Sequence, residues 1–262
     1  MNDASRRTRR PQRWLLLPLL LLLAGCGSSF GWHVVDPRLP AGWSNLTFIL
    51  EGFAATIQVA LAAMLLSIVL GLIVALLGAA PSRPARILAR IWVEGFRAVP
   101  ILVMILWAFY GLPIVTGIRL DVFAAAVLAI ALCDSAFEAE IFRAGIQSVE
   151  LGQREAASAL GLSRWHTMRF VILPQAIRRI LPALGNQFVY VVKMSSLASV
   201  IGLPELTRKA NELVVTVFRP LEIYTVLIVC YLVLVIAISA GVRWLERRLA
   251  VAGRTPGRIE PA

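Results

Sequence analysis

An ionisable side chain inside an apolar run is costly at membrane depth, so it marks a solute pathway or a paired site by default. Two such groups stand out. Lys193 lies within "GNQFVYVVKMSSLASVIG", followed by Ser195 and Ser196, and Asp134 interrupts another apolar run at a depth from which it could reach Lys193. These groups suit either reversible recognition of a charged solute or a Lys/Asp pair that bridges two helices. They do not suit covalent catalysis. The chain contains no nucleophile elbow and no HExxH. Its only lysines, Lys193 and Lys209, fit no phosphate-cradling glycine pattern. Cys26, Cys133 and Cys230 lie far apart, and with His33 and His166 they offer neither metal-ligand spacing nor a disulfide framework. No catalytic residue, no metal and no cofactor is expected.

The elements that hold these groups are helices built for lipid. The chain has 262 residues and is 59% hydrophobic, with several runs near the roughly 20 residues that a spanning helix requires. Five spans are expected, at 53–77, 96–110, 120–139, from 181 onward, and at 224–242, with "GLPIVTG" breaking the chain after the second. The fold class is an all-α membrane protein. The formal net charge of +11 comes mostly from arginines between the runs, where they report orientation, not nucleic-acid contact. Arg83, Arg86 and Arg90, the arginines from Arg143 to Arg179, and the tail "RWLERRLAVAGR" all fall on one side, the cytoplasmic one. Asp36, Arg38, Asp121 and Glu222 fall in short outer loops, where they read as solvated.

Residues 154–184, "REAASALGLSRWHTMRFVILPQAIRRILPAL", are too basic to span and too apolar for a plain linker. The spacing predicts a helix with Ala156, Ala157 and Leu160 on one face and Arg154 and Glu155 at its polar side. Gly161 is suited to end it in the left-handed conformation, and Ser163 can cap a second short helix that Pro174 ends or kinks. On physical grounds alone, such a hairpin could simply lie on the membrane with its arginines toward the headgroups.

The residues themselves say more. "EAASALGLSRWHTMRFVILP" resembles the EAA signature of ABC-transporter permease subunits, which is met by Glu155, Ala156, Ala157, Gly161, Ile172, Leu173 and Pro174. From about Gly52 to Leu249, "EGFRAVPILV", "FYGLP", "AFEAEIFRAGIQSVELGQ" and "LASVIGLPELT" are similar to the subfamily that imports polar amino acids. The resemblance implies a five-helix importer permease core at 48–250. In it, Glu155, Ala156, Ala157, Gly161, Leu162, Ser163 and Arg164 form a coupling loop docked on an ATPase subunit. It also implies two ATP-binding subunits, a second permease copy, identical or related, a periplasmic solute-binding protein and the lipid of a bacterial inner membrane.

By the same resemblance Lys193, Ser195 and Ser196 belong to the substrate pathway. The subfamily usually has an aspartate after this lysine, where this chain has Met194. Asp134 is then expected either to take over the acidic role, binding a substrate amino group, or to pair with Lys193, which would otherwise hold a substrate carboxylate. Glu94 and Arg97 match the "E-x-F-R" lead-in to the second span and are expected to be a gate or scaffold. Rival solutes are an opine, a quaternary amine or a sulfonate. A stand-alone channel or secondary carrier is the rival from another class.

The N-terminal segment 1–26 joins an arginine-rich start to an apolar run of about 11 residues, 14–24, which is short for a span and has the layout of a secretory signal. Its end, "LAGC", resembles a lipobox with Cys26 as the acylated residue. An uncleaved anchor and an untranslated upstream segment are the alternatives. Each of these places 27–47 outside the cytoplasm as a periplasmic lead-in and leaves 251–262 as a cytoplasmic tail.

Overall fold

The structure, a computed structural model, describes residues 31–249; the signal-like segment with Cys26 and the tail 251–262 lie outside the described residues. Every regular element among the described residues is helical. A short turn at Trp32–Val35 leads into α1 (Pro40–Leu50) and α2 (Gly52–Ala79), then α3 (Arg83–Ala98), α4 (Ile101–Thr116) and α5 (Val122–Gln147). After these come α6 (Leu151–Ala159), the long α7 (Arg164–Ile201), α8 (Leu206–Val217) and α9 (Pro220–Leu249). Three stretches, Pro40–Ala79, Val122–Gln147 and Pro220–Leu245, are long and apolar enough to cross a bilayer. Two bent pairs, α3 with α4 and α7 with α8, bring the number to five.

Small side chains decide where the core sits. Ala60 and Ala63 of α2 and Ala125, Ala126 and Ala129 of α5 are fully buried, which lets the two backbones approach closely, as helices do where lipid supplies no hydrophobic driving force between them. At Gly71 the approach is tightest: a methyl group there would overlap the Cβ of Glu138. Ile105 and Ala108 of α4, Val191 and Val192 of α7 and Leu206 of α8 complete this cluster. A second cluster, Phe142, Val149, Ile172, Ala176 and Ile180, fastens the far end of α5 to α7.

Several boundaries differ from the sequence expectation. The second span is broken inside its expected range: Val99 and Pro100 are extended (ψ 125° and 132°), and α4 leaves at 99° to α3. Proline has no N–H to continue α3 and pushes the residue before it out of the helical region. "GLPIVTG" ends the helix at its last residue: a π-turn at Trp107–Gly111 widens the backbone ahead of Pro113, and the helix stops at Gly117 (φ 75°). Pro174 ends nothing, because a π-turn at Thr167–Ile172 makes room for its ring and α7 runs on into the membrane. The lead-in 27–47 is helical from Pro40. Glu222 is not solvated: it is buried and accepts a hydrogen bond from the Gly31 amide. Asp121 caps α5 by accepting from the Ala124 amide at 2.7 Å.

The Gly71 contact yields a paired prediction. Gly71→Val overpacks the α2–α5 seam and is expected to cost about 1–3 kcal/mol. Gly95→Ala, at a helical glycine with open space around it, is expected to leave stability unchanged or raise it by up to about 1 kcal/mol. Thermal unfolding of the detergent-solubilised protein checks both.

Candidate functional site

In the hairpin between α5 and α7, the Gly161 corner and the Ser163 cap form as the sequence predicts. Helix α6 closes with the amide of Gly161 donating to Ser158 and that of Leu162 donating to Ala157, a pairing that requires Gly161 at φ 72°. The Ser163 hydroxyl accepts from the His166 amide at 3.3 Å and caps the next helix. Of the three residues expected on one face, only Ala157 is buried, while Ala156 and Leu160 are exposed. The cause is that the core meets α6 along a narrow strip.

The hairpin is tied down at its base. Arg154 donates to the Ile146 carbonyl at 3.0 Å, Arg179 donates to the Ser148 carbonyl, and Val149 is buried between α5 and α7. At its tip Leu151, Leu160, Trp165 and Phe170 are 63–80% exposed, with Glu155 and Arg164 exposed among them. Grouped exposed apolar side chains rimmed by charge mark an interaction surface.

Deeper in the bundle, Asp134 is 1% exposed and accepts from the Ser67 hydroxyl at 2.7 Å and the Gln187 amide at 2.6 Å, so it ties α5 to α2 and α7. The alternative in which Asp134 pairs with Lys193 is not realised. Gln187 occupies the carboxylate, and Lys193 lies six residues further along α7, a rise of about 9 Å. Lys193 instead lines a groove of about 430 Å³ with Ser196 and residues of α9, among them Tyr231. Ser195 is buried, its hydroxyl donating to the Val192 carbonyl, so the structure brings together only Lys193 and Ser196 of the four expected pathway residues. Glu138, one turn from Asp134, is fully buried, and among the described residues neither of its oxygens has a hydrogen-bond partner.

Arg97 reaches α5: its guanidinium stands 5.1 Å from the Phe137 ring centroid, near the middle of that helix. Here the unwound Val99–Pro100 segment, Arg97, Cys133, Phe137 and Tyr190 surround a cavity of about 310 Å³. The first intrahelical bond of α4 is from the Met104 amide to Pro100. The amides of Ile101, Leu102 and Val103 therefore have no carbonyl partner within the helix. This corner can hold an anion at the start of a helix beside a fixed positive charge. The signal was present in the sequence as a proline three residues after an arginine. Glu94 lies further back on α3 and lines a separate cavity with Arg97.

One site was missed by sequence reasoning. Glu205, fully buried between α7 and α8, accepts from the amides of Thr207 (2.9 Å) and Arg208 (2.7 Å) and from the Tyr231 hydroxyl (2.9 Å). Nearby, the Leu206 amide donates to Thr56, and Lys209 pairs with Glu51 at 2.8 Å. Glu205 ahead of "LTRK" has the pattern of an acidic helix cap.

Known proteins are similar to this chain in sequence and fold. The family described as "Binding-protein-dependent transport system inner membrane component" matches residues 67–251. The glutamine transport system permease protein GlnP of Escherichia coli (strain K12) is 37% identical over 85% of this chain and 99% of that protein. The arginine transport system permease protein ArtQ of Bacillus subtilis (strain 168) is 33% identical over 78% of this chain and 94% of that protein. A chain from the crystal structure of an amino acid ABC transporter with histidines superposes with a TM-score of 0.74 at 38% identity, covering 77% of this chain and 94% of that one. The MetNI methionine ABC transporter, at 18% identity and a TM-score of 0.67, shares the fold. With its five-span bundle, its hairpin after α5 and this agreement along most of its length, the chain belongs to the binding-protein-dependent transport system inner membrane components, the permease subunits of ABC importers.

Proposed function

We propose that this chain is the permease subunit of an ATP-driven importer of a polar amino acid in a bacterial inner membrane, and that it reads the part of the solute that all amino acids share. The observation that carries this reading is the break in the second span. Arg97, the unwound Val99–Pro100 segment and Ile101 at the start of α4 line one small cavity, and broken helices at membrane depth are how transporters present backbone and charge to a solute. The relatives named for glutamine and arginine transport, and the neighbour solved with histidines, take different side chains on a common carboxylate and ammonium. In this reading the carboxylate sits at Arg97, with Phe137 and Tyr190 walling the side chain. Asp134 sets the wall through Gln187, and Lys193 and Ser196 line a further stretch of the pathway.

The chain itself is non-catalytic. Two ATP-binding subunits grip the hairpins of two permease copies through Glu155, Ala156, Ala157, Gly161, Leu162, Ser163 and Arg164, and a binding protein delivers the solute from the opposite side. The arginines at the start of α3, in the hairpin and at the end of α9 put these segments in the cytoplasm. Segment 27–47 and the mature N-terminus are then outside.

Two experiments with the reconstituted complex test this. Arg97→Gln is expected to raise the KM for amino-acid uptake by about 10- to 150-fold, the usual magnitude for one hydrogen bond to a charged group, while the ATPase still co-purifies. An unchanged KM removes Arg97 from the pathway. Gly161→Val, which forces a β-branched residue to positive φ, is expected to cost the ATPase its co-purification while the permease stays folded. Uptake that survives with no ATPase bound would show a carrier.

A further inference from the structure

Where α2, α3 and α5 meet on the hairpin side of the bundle, a cavity of about 420 Å³ is lined by Arg86, Arg90, Arg97 and Arg143 against only Glu94 and Glu140, four positive charges to two negative. Among the described residues the one ion pair in this group joins Arg143 to Glu140. The arginines of α3, at 83, 86, 90 and 97, are spaced by three, four and seven residues, so they form one stripe along the helix. The other face of α3 exposes Ile87, Leu88 and Ile91, each 55–63% accessible, and Leu76 of neighbouring α2 is 59% exposed. The cavity floor is apolar, formed by Val74, Ala75, Gly78, Ala89 and Ala139. A guanidinium-lined cavity with an apolar floor matches a molecule with an anionic head and hydrocarbon tails.

We propose that this cavity binds the headgroup phosphate of an anionic phospholipid of the inner leaflet; the leaflet follows from the cytoplasmic placement of the hairpin proposed above. Arg86 and Arg90 bracket the phosphate, and the acyl chains leave across the apolar floor at Val74, Gly78 and Ala89. Phosphate oxygens match the fork of guanidinium donors, and basic pockets between helices on the cytoplasmic side are suited to lipid headgroups. Because Arg97 faces both this cavity and the smaller one at the break, a lipid held here fixes the slant of α3 and hence the position of the solute-binding corner.

Native mass spectrometry of the purified permease–ATPase complex, with defined lipid added, tests the proposal. The wild type is expected to retain phosphatidylglycerol in preference to phosphatidylcholine. Arg86→Gln with Arg90→Gln is expected to weaken that retention about thirtyfold, the product of two arginine contacts of ordinary strength near a membrane surface. Arg247→Gln with Arg248→Gln removes the same charge from the end of α9 and is expected to leave retention unchanged. Equal retention of the two lipids, or equal loss in both double variants, overturns the site. Displacement of the lipid by millimolar inorganic phosphate overturns the lipid as occupant and leaves a site for a free anion. Uptake by the wild type in the same preparation keeps the two readings apart. Lipid selectivity absent with uptake intact defeats this proposal alone, whereas absent uptake with lipid selectivity intact defeats the importer reading alone.

Discussion

The close seating of α2 on α5 is the constraint on which the rest of the structure depends. Helices in lipid gain nothing by hiding apolar surface from one another, so contact must come from packing and polar bonds. Alanines on both helices and the bare backbone at Gly71 supply the packing, and the Ser67–Asp134–Gln187 chain supplies the bonds, drawing α7 into the same seam. Each member of that chain is satisfied, which a buried polar group requires if it is not to destabilise the fold. Once α5 is fixed, it acts as a strut. Its middle walls the cavity at Arg97, and its far end carries the base of the hairpin.

The break at Val99–Pro100 and the hairpin are thereby joined through rigid elements. Unwound backbone at membrane depth is tolerated only where it is buried in protein or lines a cavity, and here it does the latter. On the other side, α7 runs as one helix from the Ser163 cap to Ile201, with a π-turn at Thr167–Ile172 ahead of Pro174 and Pro182 inside it. A displacement applied at the hairpin tip therefore reaches Gln187 and Tyr190 along one helix, past Pro182. That continuity is a physical basis for coupling a soluble motor to a solute-binding corner, provided the bundle has two arrangements that solute and ATP favour differently.

Much of this was legible in the sequence because it rests on local rules. The five spans follow from apolar length, the Gly161 corner from the conformational freedom of glycine, and the Ser163 cap from hydroxyl chemistry. The features that were not legible depend on tertiary packing. Nothing local says that a π-turn will absorb Pro113 and Pro174, nor that Pro100, with the same intrinsic effect, will break its helix completely. Asp134 and Lys193 could be read as partners at span resolution, but Gln187, six residues before Lys193 on α7, takes the carboxylate. Glu222 read as a loop residue, but it is buried and accepts from the Gly31 amide, and Glu205 drew no reading until Tyr231 of α9 was brought beside it. Arg97 read as a gate or scaffold residue because its contact with Phe137 arises only when α3 packs on α5.

The central claim, that the hairpin is the surface gripped by a separate ATPase, is tested most directly by hydrogen exchange of the permease alone and of the permease–ATPase complex. The account predicts that amides of 151–166 slow markedly on ATPase binding while those of α1 and α8 do not change. Unchanged exchange across 151–166, with protection appearing elsewhere, would contradict it.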